Sequence, residues 1–89
     1  SVQAQSRTIK VYPNPVKDEL NFNVTADRTT SLHVEVFSLV WKRVMQHQFS
    51  IYKGRSQQTL DISRLRKGLY ILRFTESNGQ SFSRKLLKY

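Results

Sequence analysis

The fold is decided by the final stretch of the chain, residues 68–89, which reads GLYILRFTE (68–76), SNGQ (77–80) and SFSRKLLKY (81–89). The two outer segments are rich in strand-favouring residues and mostly alternate apolar with polar positions. Asn78 and Gly79 form the preferred dipeptide of a two-residue type I′ turn, because both turn positions need a positive φ. The sequence therefore predicts a C-terminal β-hairpin, so that the polypeptide ends on a strand of its own sheet.

Five further segments alternate in the same way and lie upstream, at residues 8–12, 20–25, 32–39, 44–49 and 58–62. No segment repeats its apolar residues with helical periodicity. About seven short strands at a spacing of roughly 8–12 residues are typical of an all-β sandwich or barrel.

The connections between these strands carry their own signals. Pro13-Asn14-Pro15 ends the first strand, because proline fixes φ and removes a backbone donor. Residues 52–56 are predicted to be a loop, and residues 63–68 a single helical turn capped by Ser63 and ended by Gly68. Asp61 is expected to accept a hydrogen bond from the backbone of that turn.

The third strand has an ambiguous end. Leu32, Val34 and Val36 share one face, whereas Phe37 and Leu39 lie on the opposite parity. Since successive side chains of a strand point to opposite faces, we expect this strand to enter the core on both faces near its end.

Charge and size limit the possible functions. The 89 residues include 15 Lys and Arg against 6 Asp and Glu, a net charge of +9, and a chain of this length forms one domain. The excess of positive charge favours anionic partners such as nucleic acid, lipopolysaccharide or an acidic protein face, or serves only to keep the domain in solution. The longest apolar run, residues 69–72, is too short to cross a membrane.

No group of residues predicts catalysis. There is no cysteine, and His33 and His47 lack the spacing of zinc ligands. Asp18 and Glu19 are adjacent, so their side chains diverge and do not form an acid–base pair. Aromatic residues fall mainly on core positions, which disfavours a stacking platform for nucleic acid. We therefore predict a protein that is not an enzyme and that has no metal, no cofactor and no nucleic-acid partner.

Taken together, several motifs resemble those of one family. They are Tyr12-Pro13-Asn14-Pro15, Leu20-Asn21-Phe22, residues 34–39, Leu60-Asp61-Ile62-Ser63, Gly68-Leu69-Tyr70-Ile71-Leu72 and Lys85-Leu86-Leu87-Lys88. In this order they are similar to the C-terminal sorting domain of cargo proteins of the type IX (Por) secretion system of Bacteroidetes. One position departs from the family, since Trp41 precedes Lys42 where the family usually has glycine before lysine.

The resemblance implies an immunoglobulin-like antiparallel β-sandwich that acts as a non-catalytic secretion signal. It implies recognition by the export translocon, passage through the periplasm to the outer membrane, the cell surface or the medium, and, in many members, removal by a sortase-like peptidase as the cargo is joined to anionic lipopolysaccharide. On this reading residues 1–8 are a linker from an upstream cargo domain and residues 9–89 the sorting domain, consistent with a sequence that begins without Met. Which cargo it serves, and whether it is cleaved or retained, are left open.

The resemblance also suggests which residues matter. The contact with the export machinery is predicted at Arg84-Lys85-Leu86-Leu87-Lys88, with one of the two leucines in the core, and an edge strand there offers groups for strand addition. The same edge is a possible homodimer contact. A structural role is predicted for the other motif residues, Tyr12, Pro13, Asn14, Pro15, Asp61, Gly68, Tyr70, Asn78 and Gly79.

An adhesive or carbohydrate-binding sandwich is the alternative. Exposed, coplanar Trp41 and Tyr52 would favour it, whereas burial of both would favour the sorting domain. Trp41 stands where a turn between two strands is expected, and its ring is predicted to fold onto the edge of the sandwich rather than to form a binding patch.

Overall fold

The structure is a computed structural model that describes residues 7–13, 17–77 and 79–89. This part of the chain contains strands and no helix. The strands are β1 (Arg7–Tyr12), β2 (Glu19–Ala26), β3 (Thr30–Phe37), β4 (Arg43–Ile51), β5 (Gly54–Asp61), β6 (Gly68–Glu76) and β7 (Ser81–Lys88).

Two antiparallel sheets form the sandwich. One has the order β1-β2-β5, and the other has the order β4-β3-β6-β7. Every pairing is antiparallel. Seven strands divided three and four between two packed sheets are those of an immunoglobulin-like sandwich, so the predicted fold class is confirmed.

The core lies between the inward faces of the two sheets. Alternate residues of β2 are buried in the pattern expected for a strand with one wet face, and Leu20, Phe22 and Val24 point inward. The Phe22 ring meets Phe49 of β4 and Phe74 of β6 edge-on, with centroids 5.8 and 5.5 Å apart. These contacts join the two sheets at the centre of the molecule, where large aromatic groups bury the most apolar area.

The C-terminal hairpin is present, but its loop is one residue longer than predicted. The Glu76 N–H donates to the Gln80 carbonyl (2.8 Å), and the Gly79 N–H donates to the Glu76 carbonyl (2.9 Å). Three residues therefore separate the last paired positions, Glu76 and Gln80, where a type I′ hairpin has two. Gly79 has a φ of +92°, whereas Asn78 lies outside the described residues. The two-residue type I′ prediction was wrong.

Two connections also differ from expectation. Strand β5 begins at Gly54, so the loop predicted at 52–56 is reduced to Tyr52 and Lys53. The helical turn predicted at 63–68 is a single β-turn instead, closed by one hydrogen bond from the Leu65 N–H to the Ile62 carbonyl (3.0 Å).

The end of β3 is buried on both faces. The prediction of burial on the second face is confirmed for Phe37 and is wrong for Leu39. A bulge sets Val36 opposite Met45 and Phe37 opposite Arg43, which leaves Val44 as the extra residue. Phe37 lies on the outer face, where its ring is covered by the Arg73 guanidinium (4.9 Å to the centroid). Leu39 is 58% exposed in the following turn, so its predicted place in the core was wrong.

Candidate functional site

Strand β7, which ends the chain, is the last strand in the order of its sheet and pairs with β6. Alternation divides its predicted contact residues between two faces. Leu86 is fully buried and Lys88 is 5% exposed, while Arg84, Lys85 and Leu87 are exposed. As predicted, one of the two leucines is in the core. Leu86 thus anchors the inner face of the strand, and Lys85 and Leu87 point to the outer face. Arg84 shares the face of Leu86 but is exposed, beside Phe82 at the rim of the sandwich.

A cleft runs between β7 and the first strand. Its volume is about 290 Å³, and it is lined by Ile9, Lys10, Val11, Tyr12, Arg84 and Lys85. The Arg84 guanidinium lies over the Phe82 ring at 5.1 Å from its centroid, which holds the cation at the rim of the sandwich. An apolar floor with three cations around it suits an extended acidic or amphipathic segment.

The outer face of the same sheet carries a charged cluster that sequence reasoning missed. Arg73 donates to one carboxylate oxygen of Glu35 (2.9 Å), and Arg43 donates to the other (3.2 Å). Burial disfavours the ionised form of Glu35, but the hydrogen bonds from Arg73 and Arg43 outweigh that effect and hold its pKa below its usual range. The cluster joins β3, β4 and β6, and the register that aligns these residues could not be read from the sequence.

The loop that leads into β6 is held by three motif residues. The Asp61 carboxylate accepts a hydrogen bond from the Ser63 N–H (2.9 Å), as predicted, and this bond lowers the pKa of Asp61. The Tyr70 hydroxyl donates to the Arg66 carbonyl (2.6 Å). Gly68 has a φ of +148°, a conformation that L-residues rarely adopt. Asp61, Gly68 and Tyr70 thus fix the entry of the strand on which β7 is laid.

The first motif lies at the end of β1. The Tyr12 hydroxyl donates to Asn23 Oδ1 (3.2 Å) on the outer face of the smaller sheet, and Pro13 follows the strand in an exposed position. Asn14 and Pro15 lie outside the described residues, so the part of the prediction that concerns them has no structural account.

The turn between β3 and β4 has the same hydrogen bonds as the C-terminal hairpin. The Ser38 N–H donates to the Lys42 carbonyl (2.9 Å), and the Trp41 N–H donates to the Ser38 carbonyl (3.0 Å). Trp41 occupies the place that Gly79 has in the other hairpin, and its φ is +62°. The tryptophan therefore adopts the left-handed conformation for which glycine is the default residue.

The exposed apolar side chains gather at one end of the sandwich. Short connections make successive strands run in alternation between two ends, so the Ser38–Lys42 turn lies at the same end as the starts of β2 and β6 and the ends of β1, β5 and β7. We call this the apolar end. The exposed large hydrophobic residues there are Tyr12, Leu39, Val40, Trp41, Val44, Leu69, Leu87 and Tyr89.

The two aromatic residues proposed to discriminate between functions lie far apart. Trp41 is 61% exposed, and Tyr52 is 64% exposed, so the expectation that a sorting domain buries both was wrong. Trp41 precedes β4 and Tyr52 follows it, which places their rings at opposite ends and gives no flat platform for a sugar ring. The Trp41 ring does contact the fold, with its centroid 5.7 Å from that of Phe37.

The histidines have ordinary sheet neighbours. His33 Nε2 hydrogen-bonds with Gln46 Oε1 (3.0 Å), and the His47 ring packs on Phe49 with centroids 4.5 Å apart. Within residues 7–13, 17–77 and 79–89, no three His, Cys, Asp or Glu side chains come together as a metal site would require. The same part of the chain contains no apolar helix of membrane-spanning length.

Comparison with known families identifies the chain. A family model described as the secretion system C-terminal sorting domain matches residues 10–89. The chain belongs to this family. A comparison with curated proteins finds no match.

Membership gives the broad function of this sorting domain. It is a sorting signal of type IX secretion, it interacts with the machinery of that system, and it serves export through the outer membrane to the cell surface or the medium. Domains of this family are in general not catalytic. Trp41, which stands where the resemblance predicts a glycine, adopts a glycine-like backbone.

Proposed function

We propose that the export machinery recognises this sorting domain through three exposed side chains of β7: Lys85 and Leu87 on its outer face, and Arg84 at the rim of its inner face. The observation that carries the proposal is the division of the strand, in which Leu86 is buried on the inner face, Lys85 and Leu87 point outward, and Arg84 stays exposed beside Phe82. Positive charge would accelerate the encounter with an acidic partner, and the leucine would slow dissociation. Lys88 and Leu86 then serve the strand's position and not the contact itself.

The neighbouring cleft extends this contact. Lys10 and Tyr12 face Arg84 and Lys85 across it, so a partner segment seated there would meet both terminal strands of the sandwich. The strand addition predicted from the sequence would be a more specific form of this contact, in which the partner segment pairs with the backbone of β7.

Later steps follow from the resemblance. The domain would arrive folded from the periplasm at the outer membrane, direct a larger cargo across it, and then be removed by a sortase-like peptidase while the cargo is joined to anionic lipopolysaccharide. Such cleavage would take place ahead of the sandwich, in the linker predicted at residues 1–8, of which Arg7 and Thr8 already belong to β1.

The test uses a reporter protein fused ahead of residue 1 in a bacterium that has type IX secretion. The double variant Lys85→Glu/Leu87→Glu should reduce surface delivery at least tenfold, with a melting temperature within a few degrees of the unmodified fusion. Arg55→Glu/Gln57→Glu, which makes the same change of charge at two exposed positions of β5, is the matched control and should be delivered normally. Normal delivery of the double variant would overturn the proposed contact.

A further inference from the structure

The tip of the β3–β4 turn differs from the turns at the opposite end in the residues that it exposes. Leu39, Val40 and Trp41 are consecutive and are 58%, 82% and 61% exposed. The turns at the opposite end carry Asp27-Arg28-Thr29 and Tyr52-Lys53, in which Tyr52 is exposed but stands beside a lysine and not in an apolar run. A run of three exposed apolar residues leaves apolar surface in water that the domain itself does not cover.

The backbone keeps this tip projecting. The two hydrogen bonds between Ser38, Trp41 and Lys42 close the turn, and the Trp41 ring rests on Phe37. A left-handed residue in this turn would be most stable as glycine, yet the position holds the only tryptophan of the chain. The apolar tip is therefore preformed, so that binding a partner would require little further loss of conformational entropy in the turn.

The charges around the Leu39–Trp41 tip indicate which kind of partner could bind there. Lys42 and Arg43 follow the tip directly, and Arg64, Arg66 and Lys67 lie in the loop at the same end of the sandwich. Glu35, beside Arg43, is already bonded to two arginines. The exposed carboxylates at this end, Asp18, Glu19 and Asp61, lie in the smaller sheet, around the start of β2 and the end of β5. A second copy of this chain, also at +9, would bring like charges together.

Shape narrows the choice further. A stable protein interface buries roughly 800 Å² on each partner, whereas a tip of three residues offers a small, convex surface. A lipid surface accepts such a tip, because aliphatic groups enter the acyl boundary, tryptophan prefers the headgroup level, and cations attract anionic headgroups.

We propose that the Leu39–Lys42 tip docks on an anionic lipid surface. Leu39 and Val40 enter the acyl boundary, the Trp41 indole lies at the headgroup level, and Lys42 and Arg43 meet lipid phosphates. This contact is separate from recognition of β7 and needs no protein of the export machinery.

The sole tryptophan is at the tip, so its fluorescence reports docking directly. The 89-residue chain is mixed with vesicles of phosphatidylcholine containing phosphatidylglycerol, and bound protein is measured by sedimentation. The expected result is a blue shift of Trp41 emission and lower accessibility to acrylamide, with weaker binding at high salt. Val40→Asp should weaken binding at least tenfold, whereas Tyr52→Ser, at the opposite end, should bind normally.

The other occupants are outcomes of the same experiment. The proposal is overturned if emission does not shift with anionic vesicles, or if Val40→Asp binds as well as the unmodified chain. It is also overturned if soluble polyglutamate gives the same Val40-dependent shift, which would indicate an acidic protein site, or if the shift grows with protein concentration without vesicles, which would indicate a second copy. Circular dichroism checks that each variant is folded. If Val40→Asp does not fold, the test is repeated with Lys42→Glu, because the Lys42 side chain is exposed in the turn.

Discussion

Trp41 shows what a single residue contributes and costs in this fold. Its φ of +62° places a bulky side chain in a conformation that disfavours L-residues by about 1–2 kcal/mol. Its ring contact with Phe37 returns part of that energy. Trp41 thus lowers the stability of the turn and places an exposed aromatic group at its tip.

Replacement of Trp41 should reverse the usual order of glycine and alanine. Both Trp41→Gly and Trp41→Ala lose the contact with Phe37, but only glycine relieves the backbone. We expect Trp41→Gly to be more stable than Trp41→Ala by about 1 kcal/mol, measured by urea unfolding followed by circular dichroism. Equal stabilities, or a more stable alanine variant, would contradict the assigned backbone conformation.

At the same scale, Glu35 predicts a specific response to pH. Its pKa is lowered in the folded protein because hydrogen bonds from Arg73 and Arg43 outweigh the effect of burial. A lowered carboxyl pKa stabilises the fold above the unfolded pKa, near 4.5, and this contribution is lost as the pH falls through the folded value. Glu35→Gln should therefore cost about 1–2 kcal/mol at pH 7 and much less near pH 2.

Urea unfolding of both proteins at the two pH values checks this prediction. Asp27→Asn is the control, since the Asp27–Arg28 pair is exposed at 3.6 Å and surface pairs contribute little. A Glu35→Gln penalty that is unchanged at pH 2 would mean that shape, and not charge, gives the residue its role.

At the scale of the element, β7 combines a structural face and a surface face. Leu86→Ala removes a fully buried side chain and should cost about 2–5 kcal/mol. Leu87→Ala affects a side chain that is 38% exposed and should cost less than about 1 kcal/mol. Thermal unfolding of the two variants distinguishes them, and similar losses would show that the division of faces is wrong.

The sequence predicted strands well and turns poorly, for a physical reason. Alternation at Leu20, Phe22 and Val24 marks a strand with one buried face, wherever its partners lie. Turn geometry depends on the register of the paired strands, so the extra residue at Val44 and the three-residue loop before Gln80 could not be read from composition. Exposure of Leu39 follows from that register in the same way.

The candidate site was predicted in part. The position of Arg84, Lys85 and Leu87 on the last strand follows from the hairpin pattern. Their predicted role, contact with the export machinery, comes from the family resemblance. The Glu35–Arg73 pair spans 38 residues, and its only sequence signal was a carboxylate between two buried valines. Long-range pairings of this kind need the sheet order, which local patterns do not contain.

At the scale of the whole molecule, the two ends of the sandwich differ in character. Exposed apolar groups and the end of β7 share one end, whereas Asp27, Arg28 and Tyr52 lie at the other. The domain is thus polarised along its strands, and contacts with other components of the cell envelope are expected at the apolar end. A homodimer through a strand edge stays a prediction, for which sedimentation velocity at two protein concentrations is the check.

Site-specific photocrosslinking in secreting cells is the decisive measurement for recognition through β7. A photoreactive amino acid replaces Leu87 in one reporter fusion and Gln57 in another, and adducts are compared after irradiation. We predict that position 87 forms an adduct with an envelope protein of the export machinery, whereas position 57 forms little or none. An adduct of equal yield at both positions, or at position 57 alone, would contradict recognition through the outer face of β7.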